Sequence, residues 1–223
     1  MPIKLYKVDM SPAARAAMMA CELFNAPVEF VDLDLMAGEH MTPEYLKKNP
    51  LHAVPVFEDG DFFIHDSHAI LMYLADKYGK TDEYYPKDVK QRAFVNQKLF
   101  FDTAILYPRL ASISIPVWTE GKSVITENQI KNIEEAYGFV EQFLSRTKYI
   151  AANHITIADL SVIASMTSIT IPILPLDKTK YPKTHAWMKV MESQPYCKKH
   201  NEAGAAAYGH FMKPLLDFSN LKK

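Results

Sequence analysis

The sequence predicts an α/β domain over residues 1–80 followed by an all-helical domain over residues 88–223. Near the N-terminus, strand and helix patterns alternate, which is typical of a parallel β-α-β unit. Residues 79–88 are rich in Gly, Lys, Thr, Glu, Tyr and Pro and lack apolar periodicity, which is typical of a linker. Beyond this linker the apolar periodicity is helical throughout, so no further strand is predicted.

The first half of the α/β domain contains two strand patterns and two helix starts. Residues 3–6 are apolar enough for a buried strand, and residues 28–32 alternate as a second strand does. Between them Ser11 stands directly before a proline, and a serine at the N-cap followed by a proline at the first helical position is typical of a helix start. This helix is expected to end near residue 25. Thr42, also before a proline, starts a second, short helix.

The second half of the domain predicts a hairpin and a third helix. The first strand begins at Val54-Pro55, a turn follows at residues 59–60, and the second strand covers residues 62–65. A helix is expected over residues 66–78. Its inward side chains are predicted to be Ala69, Ile70, Tyr73 and Leu74. The complete order, β-α-β-α-β-β-α, is thioredoxin-like.

This hairpin also predicts a binding site for a peptide-like anion. An X-Pro bond is the one place where a cis peptide costs little, and a cis bond at Val54-Pro55 would leave the N–H and C=O of Val54 facing outward. The helix start at Asp66-Ser67 provides free N–H groups and a partial positive charge that favour an anion. The hairpin therefore offers backbone pairing beside a site for a carboxylate.

Composition excludes several classes of protein. The 223 residues are 48% hydrophobic and their formal net charge is −1, so nothing points to a nucleic acid or an anionic membrane as partner. We expect a soluble, cytoplasmic protein, because no apolar run reaches the roughly 18 residues of a spanning helix and the N-terminus has no signal-peptide layout. Cys21 and Cys197 are far apart and have no metal or redox spacing, so both are expected to be reduced and no metal is predicted.

The second domain contains a recognisable helix start. Thr156 and Asp159 are spaced as a capping box, with Ile155 placed to pack onto Leu160, and we expect this box to serve folding. The predicted helices cover residues 89–114, 127–144, 157–169, 185–192 and a segment from 195 onward.

The spaced series of Ser11, the Val54-Pro55 hairpin and Asp66-Ser67 resembles the cytosolic glutathione transferases, and within them the insect delta/epsilon group, epsilon-like for preference. The resemblance covers essentially the whole chain. It implies glutathione as co-substrate, no metal, a homodimer, and conjugation of the glutathione thiolate to small hydrophobic electrophiles in detoxification.

The resemblance also assigns roles to residues. It makes Ser11 the hydroxyl that stabilises the glutathione thiolate, although a serine before a proline is also an ordinary helix cap. The glutathione-binding residues that it implies are His40, His52, Val54, Pro55, Asp66, Ser67 and His68. His40 and His52 match two family histidines at the glycine end, but a lone loop histidine is more often a solvated surface residue.

At the other end of glutathione, Asp66 is expected to face the γ-glutamyl ammonium and Ser67 its carboxylate. His68, where relatives carry Arg or His, is expected at the same group or at the neighbouring subunit. A capped helix start would explain Asp66 and Ser67 equally well without any ligand.

An apolar wall facing Ser11 should hold the electrophile. Its candidates are Met10, Tyr107, Leu110, Ser114, Trp118, Tyr208, Phe211 and Met212. The same residue types at helical spacing are more often plain core.

Three other functions are compatible with the fold. One is a non-catalytic carrier of hydrophobic ligands such as steroids or pigments, and another is a glutathione-dependent peroxidase or dehydrochlorinase. A thiol-disulfide oxidoreductase would require Cys at position 11 or 14, where this chain has Ser11 and Ala14.

Overall fold

The computed structural model describes residues 3–221. The N-terminal part consists of β1 (Ile3–Lys7), α1 (Pro12–Leu23), β2 (Val28–Asp32), a 3₁₀ turn (Glu39–Met41), α2 (Pro43–Lys48), β3 (Val56–Asp59), β4 (Phe62–His65) and α3 (Ser67–Tyr78). This order confirms the predicted thioredoxin-like arrangement of strands and helices.

The four strands form one mixed sheet in the order β2-β1-β3-β4. β1 runs parallel to β2, with Leu5 opposite Phe30, and antiparallel to β3, with Leu5 opposite Phe57. β3 and β4 are antiparallel and are joined through Gly60, whose φ of +70° suits a residue without a side chain. Leu5 and Phe57 are fully buried and belong to the same core as α1 and α3, whereas the Tyr6 ring contacts Tyr45 of α2.

α3 buries a slightly different face from the predicted one. Ile70 and Leu74 are fully buried as expected, and Leu71 is fully buried as well, so the buried face of α3 extends to the side of the helix that carries Leu71. Ala69 and Tyr73 are only partly buried, and the Tyr73 hydroxyl donates to Asp59 at 2.6 Å. The inward prediction is confirmed for the Tyr73 ring, which packs against the core and contacts Phe57 while its hydroxyl reaches the hairpin turn. It was wrong for Ala69, which is not part of that core.

The remainder is helical, with one exception. It consists of α4 (Val89–Phe101), a π-helical segment (Asp102–Leu106), α5 (Tyr107–Glu120), β5 (Ser123–Val124), α6 (Glu127–Arg146), α7 (Ile157–Thr170), α8 (Pro182–Glu192), α9 (Pro195–Cys197), a second π-helical segment (Lys198–Glu202), α10 (Ala203–Met212), a 3₁₀ turn (Lys213–Leu215) and β6 (Leu216–Asp217). β5 and β6 pair in parallel, with Ser123 opposite Leu216. The expectation of no further strand was wrong, because two-residue strands are too short to show alternation.

The long helix formed by α4, the first π-helical segment and α5 continues beyond its predicted end near residue 114. Pro116 has no N–H to offer the Ser112 carbonyl one turn earlier. That carbonyl instead accepts a hydrogen bond from the Gln129 side-chain amide at 3.0 Å, so the helix passes through the proline without an unpaired group there. Pro108, in the first turn of α5, likewise leaves the Ala104 carbonyl of the π-helical segment without its α-helical donor.

α7 lies at the centre of the molecule and packs against α1 and α3. Its residues from Ile157 to Ile169 are all buried. The predicted capping box is confirmed: the N–H and hydroxyl of Thr156 both donate to Asp159, at 2.8 and 3.0 Å. Asp159 also accepts from the Trp187 indole at 2.9 Å, and it is fully buried. The box therefore ties α7 to α8.

No helix among residues 3–221 is both long enough and apolar enough to cross a membrane. Cys21 and Cys197 are buried free thiols. Burial raises the pKa of Cys21 to about 12 and that of Cys197 to about 11, so both are protonated and unreactive near neutral pH.

Candidate functional site

Ser11 closes the loop between β1 and α1 and caps the helix, as predicted. Its N–H donates to the Val8 carbonyl at 2.9 Å, and its hydroxyl oxygen accepts a hydrogen bond from the Ala14 N–H at 3.3 Å. Because the oxygen is the acceptor in this bond, the hydroxyl hydrogen is left to donate elsewhere. The helix N-terminus favours an anion at that position.

A buried guanidinium holds the loop that carries Ser11. Arg15 is fully buried, and it donates to the Met10 carbonyl at 2.9 Å, to the Ser168 hydroxyl at 2.5 Å and to the Asn201 amide oxygen at 2.8 Å. Burial lowers the pKa of Arg15 to about 10, which leaves it charged. Arg15 therefore fixes the backbone beside Ser11 against α7 and the C-terminal helices.

The hairpin loop presents the backbone edge that the sequence predicts. The Val54-Pro55 peptide bond is cis, which confirms the prediction. No hydrogen bond within residues 3–221 uses the N–H or C=O of Val54. The preceding carbonyl, that of Ala53, accepts from the Tyr45 hydroxyl at 2.8 Å and from the Asn49 side-chain amide at 2.9 Å. Tyr45 and Asn49 thus position the loop that leads into Val54.

His40 and His52 lie close together on the same side of this loop. Their ring centroids are 6.3 Å apart. His52 is exposed and has a φ of +45°, and its N–H donates to the Asn49 carbonyl at 3.0 Å. The Nδ1 atom of His40 is buried without a partner among residues 3–221. Neither ring lines the two cavities described below, so their assignment to the glycine end stays a prediction.

Asp66 caps α3 with one carboxylate oxygen. Its Oδ1 atom accepts from the His68 N–H at 2.8 Å and from the Ala69 N–H at 3.4 Å, while its backbone has a φ of +70°. The hydrogen bond from the His68 ring holds the pKa of Asp66 below its usual range, so the carboxylate is ionised. The second oxygen is used in none of these bonds and remains for a cation.

The His68 side chain points into the chain's own interior. Its Nδ1 lies 3.0 Å from Asp66 and its Nε2 lies 3.1 Å from Asp102, which opens the first π-helical segment. The Ser161 hydroxyl of α7 donates to the same oxygen of Asp102. Burial lowers the pKa of His68, but the hydrogen bonds to Asp102 and Asp66 outweigh it and raise the pKa to about 9. At neutral pH the imidazolium of His68 therefore joins α3 to the first π-helical segment directly and to α7 through Asp102.

Two adjoining cavities open beside these groups. The first, which we call the polar cavity because the charged side chains of Asp66, His68 and Asp102 line it, has a volume of about 180 Å³ and lies between α3, the hairpin loop and the first π-helical segment. The predicted residues that line it are Val54, Pro55, Asp66, Ser67 and His68. The second, the apolar cavity, has a volume of about 210 Å³ and lies between the Ser11 loop, α5 and α10.

The predicted residues that line the apolar cavity are Met10, Ser11, Tyr107, Leu110, Ser114, Trp118 and Tyr208. Two other candidates for the apolar wall do not line it. Phe211 stacks on Trp118, with ring centroids 4.8 Å apart, and Met212 is fully buried in the core. The cavities share Pro12, Ala53, Val54 and Tyr107, so a ligand of one can contact a ligand of the other.

Several residues of the site carry no signal in the sequence. Asn49, Asp102 and Ser161 line the polar cavity, and Arg15 holds the loop above it. Asp102 is only 3% exposed, which is unusual for an aspartate, and its Oδ1 atom has no hydrogen-bond partner within residues 3–221. No group of three or more His, Cys, Asp or Glu side chains in that part of the chain could hold a metal ion.

Two family models match the chain. Residues 1–76 match the glutathione S-transferase N-terminal domain, and residues 94–195 match the glutathione S-transferase C-terminal domain. Among curated proteins, glutathione S-transferase 1 of Manduca sexta is 40% identical over 205 residues, which are 92% of this chain and 94% of the relative.

Solved structures agree with this. An epsilon-class glutathione S-transferase from the housefly, Musca domestica, superimposes with a TM-score of 0.94 at 41% identity, over 97% of this chain and all of that one. A glutathione transferase homologue from Drosophila mojavensis, solved with bound glutathione, has a TM-score of 0.91 at 39% identity, over 97% of this chain and 99% of that one.

Proposed function

Because this chain belongs to the glutathione S-transferase family, we propose that it conjugates the thiolate of glutathione to small hydrophobic electrophiles. One observation carries the proposal: the Ser11 hydroxyl, with its hydrogen unused, opens onto an apolar cavity that adjoins a polar one. A peptide held in the polar cavity and an electrophile held in the apolar cavity would meet beside Ser11.

The polar cavity supports binding of glutathione along its length. The unpaired N–H and C=O of Val54 suit the extended backbone of a peptide, as in strand addition. The free oxygen of Asp66 suits the γ-glutamyl ammonium, and the N–H groups at the start of α3, beginning at Ser67, suit its carboxylate. At the other end, we assign the glycine carboxylate to His40 and His52, whose ring centroids lie 6.3 Å apart.

The chemical task of Ser11 is modest in size. A free thiol has a pKa of about 8.5, and lowering it by about two units requires about 2.7 kcal/mol. One hydrogen bond to a charged acceptor contributes about 1.5–3 kcal/mol, and the N-terminus of α1 adds to it. Further acceleration must come from positioning the electrophile next to the thiolate in the apolar cavity.

The proposal is tested by retention and turnover together. We expect the protein to be retained by immobilised glutathione, to be eluted by free glutathione, and to turn over an activated aryl chloride with glutathione. Passage through the column in mild neutral buffer would contradict the proposal. Retention without turnover of any electrophile would instead identify a carrier of hydrophobic ligands, and turnover of hydroperoxides or chlorinated alkanes alone would identify a peroxidase or dehydrochlorinase.

The proposal includes a cytoplasmic homodimer, as is typical of the family. Exposed apolar side chains support an interface on this chain. Phe62 and Phe63 lie on β4, at the edge of the sheet, and Phe94 and Phe100 lie on α4; each of the four is at least 37% exposed. A second copy that covered them would remove these rings from water.

A further inference from the structure

The apolar cavity continues past Trp118 into an open groove on the surface, which we call the outer groove. This groove has a volume of about 400 Å³ and lies between the loop after β1 and the loop after β2. The apolar cavity and the outer groove share four wall residues, namely Val8, Met10, Leu35 and Trp118. A molecule that fills the apolar cavity can therefore extend into the groove without leaving the protein.

The apolar cavity alone is small for a binding site. Its volume of about 210 Å³ is below the roughly 300–1,000 Å³ of typical ligand pockets, whereas the outer groove lies within that range. An electrophile with a reactive ring beside Ser11 and a longer chain attached to it would occupy both spaces. The two spaces together thus suit a molecule with two parts, a reactive head and a tail.

Apolar side chains line the path of such a tail. The Trp118 ring stacks on Phe211 with an interplanar angle of 23° and is still 40% exposed. Met36, which also lines the groove, is 82% exposed, more than any other large apolar side chain within residues 3–221. Methionine is flexible and adapts its shape to an apolar partner. An alkyl chain that lay over Trp118 and Met36 would remove apolar surface of both from water.

The charged side chains that line the outer groove all have the same sign. They are Asp32, Asp34 and Glu39, and no lysine or arginine in the described part of the chain, residues 3–221, lines the groove. Lys7 does contact Asp32 at 2.6 Å, but its side chain is only 8% exposed and it also contacts Asp9 at 2.6 Å. The three carboxylates therefore give the groove a negative potential.

The loop after β2 holds two of these carboxylates in place. Asp34 accepts through Oδ1 from the N–H groups of Met36 and Ala37, both at 2.9 Å. Glu39 accepts through Oε2 from the Asp34 N–H at 2.8 Å. Each carboxylate uses only one of its oxygens in these bonds. Both side chains are thus ordered at the groove before a ligand arrives, which lowers the entropy cost of binding.

We propose that the outer groove is a specificity subsite of the conjugation reaction and takes an apolar tail that ends in a cation, such as a quaternary ammonium group. The continuity of the two spaces places the tail, and the carboxylates select its charge, because an anionic tail would meet like charge there. This inference rests on the proposed conjugation of glutathione and names the class of electrophile that the same site prefers.

The outer groove takes no part in the bond changes. With an aryl chloride as head, the glutathione sulfur forms a bond to the ring carbon that carries the chlorine, and chloride leaves with the electron pair of the C–Cl bond. Neither an oxidant nor a reductant is required. The tail is the same before and after this step, so the groove binds substrate and transition state equally. Such uniform binding lowers KM and leaves kcat nearly unchanged.

The test uses 4-chloro-3-nitrobenzamide as the head, either bare or with a six-carbon N-alkyl tail that is unsubstituted or ends in trimethylammonium or sulfonate. We expect the wild-type kcat/KM to be highest for the ammonium tail and lowest for the sulfonate tail. The ratio of these two values should be at least about tenfold at low ionic strength, mainly through KM. Salt at about 0.5 M should reduce the ratio to below about threefold, because it screens exposed charges.

The decisive variant is Asp34→Asn/Glu39→Gln, which removes two charges and keeps the oxygens that accept the backbone hydrogen bonds. Its ratio at low ionic strength should fall to below about threefold, with kcat/KM for the bare head within about twofold of wild type. The matched control is Asp82→Asn/Glu83→Gln, which removes two carboxylates from residues that line neither cavity nor the outer groove and should keep the full ratio. Thermal unfolding checks that both variants fold.

Two outcomes would overturn the inference. Equal kcat/KM for the three tails in the wild type would show that the tail does not lie in the groove, and this comparison needs no variant. A ratio that is the same in Asp34→Asn/Glu39→Gln and in the control would show that the charge preference arises elsewhere. If the wild type neither binds glutathione nor turns over the bare head, the proposed function itself fails, whereas a wild type that is active on the bare head and indifferent to tail charge contradicts this inference alone.

Discussion

Substituting Ser11 by alanine separates the helix cap from the thiolate-stabilising group. The structure allows both roles at once, because the oxygen accepts from Ala14 while the hydrogen is left to donate. The cap bond is 3.3 Å long, at the weak end of hydrogen bonding. We therefore expect Ser11→Ala to lower the free energy of unfolding by about 1 kcal/mol or less.

The expected effect on the bound thiol is larger and depends on pH. If Ser11 lowers the thiol pKa from about 8.5 to about 6.5, the thiolate fraction near pH 6.5 falls about fiftyfold when the hydroxyl is removed. Near pH 9 the two proteins should differ by less than about twofold, because glutathione is then largely ionised in both. Affinity for glutathione should change little, since Val54, Asp66 and the start of α3 supply most of the proposed contacts.

The assay is a pH titration of thiolate absorbance in the glutathione complex, together with kcat/KM against pH for both proteins. Ser11→Thr is the matched control, because it retains a hydroxyl and a capping oxygen. Superimposable titration curves for wild type and Ser11→Ala would show that Ser11 is only a cap. Equal loss of activity at every pH would also contradict the reasoning, because a shifted thiol pKa has to produce a loss that disappears at high pH.

Three further predictions follow from the buried charges and the exposed surface. The pKa of His68 is raised to about 9, above its value of about 6.5 in the unfolded chain, so the stability that its charge contributes is complete below about pH 6.5 and is lost as the pH rises through 9. The difference in unfolding free energy between wild type and His68→Gln should therefore be about 3 kcal/mol at pH 6 and should shrink by pH 10. A difference that does not depend on pH would refute this. Asp159→Ala, which leaves the Thr156 cap and the Trp187 indole unpaired, should lower the unfolding free energy by about 3 kcal/mol or more in denaturant titrations, and a loss below about 1 kcal/mol would contradict the role of the box. Light scattering at micromolar concentration should give twice the single-chain mass of 25.4 kDa, and a mass near 25.4 kDa itself would remove the homodimer.

Local signals were sufficient where a few neighbouring residues determine the structure. A serine before a proline predicts a capped helix, and the Val54-Pro55 bond predicts a cis peptide beside a strand; the structure has both. The capping box at Thr156 and Asp159 was equally readable, because both of its partners lie within one helical turn.

Other parts of the site depend on contacts between distant residues, which no local pattern encodes. Arg15 contacts Ser168 and Asn201 across 153 and 186 residues of sequence, and in the sequence it is an ordinary residue of an apolar helix. The contact between His68 and Asp102 spans 34 residues and joins two predicted domains. The hydrogen bond to Asp102, which raises the pKa of His68, forms only after those domains have packed together.

The first π-helical segment has a consequence for how specificity in this chain can change. Each residue of an α-helix advances by about 100° around the axis, and a π-helical turn accommodates one residue more than an α-helical turn does. Deleting a single residue from Asp102–Leu106 would therefore return this turn to α-helical geometry and leave α5 in nearly the same phase relative to α4. Tyr107, Leu110 and Ser114 would stay on the wall of the apolar cavity, whereas Asp102 and Thr103, which line the polar cavity, would be lost or displaced. Specificity can thus change at the polar cavity through chain length at one point on the helix, with the wall that α5 gives to the apolar cavity left unchanged.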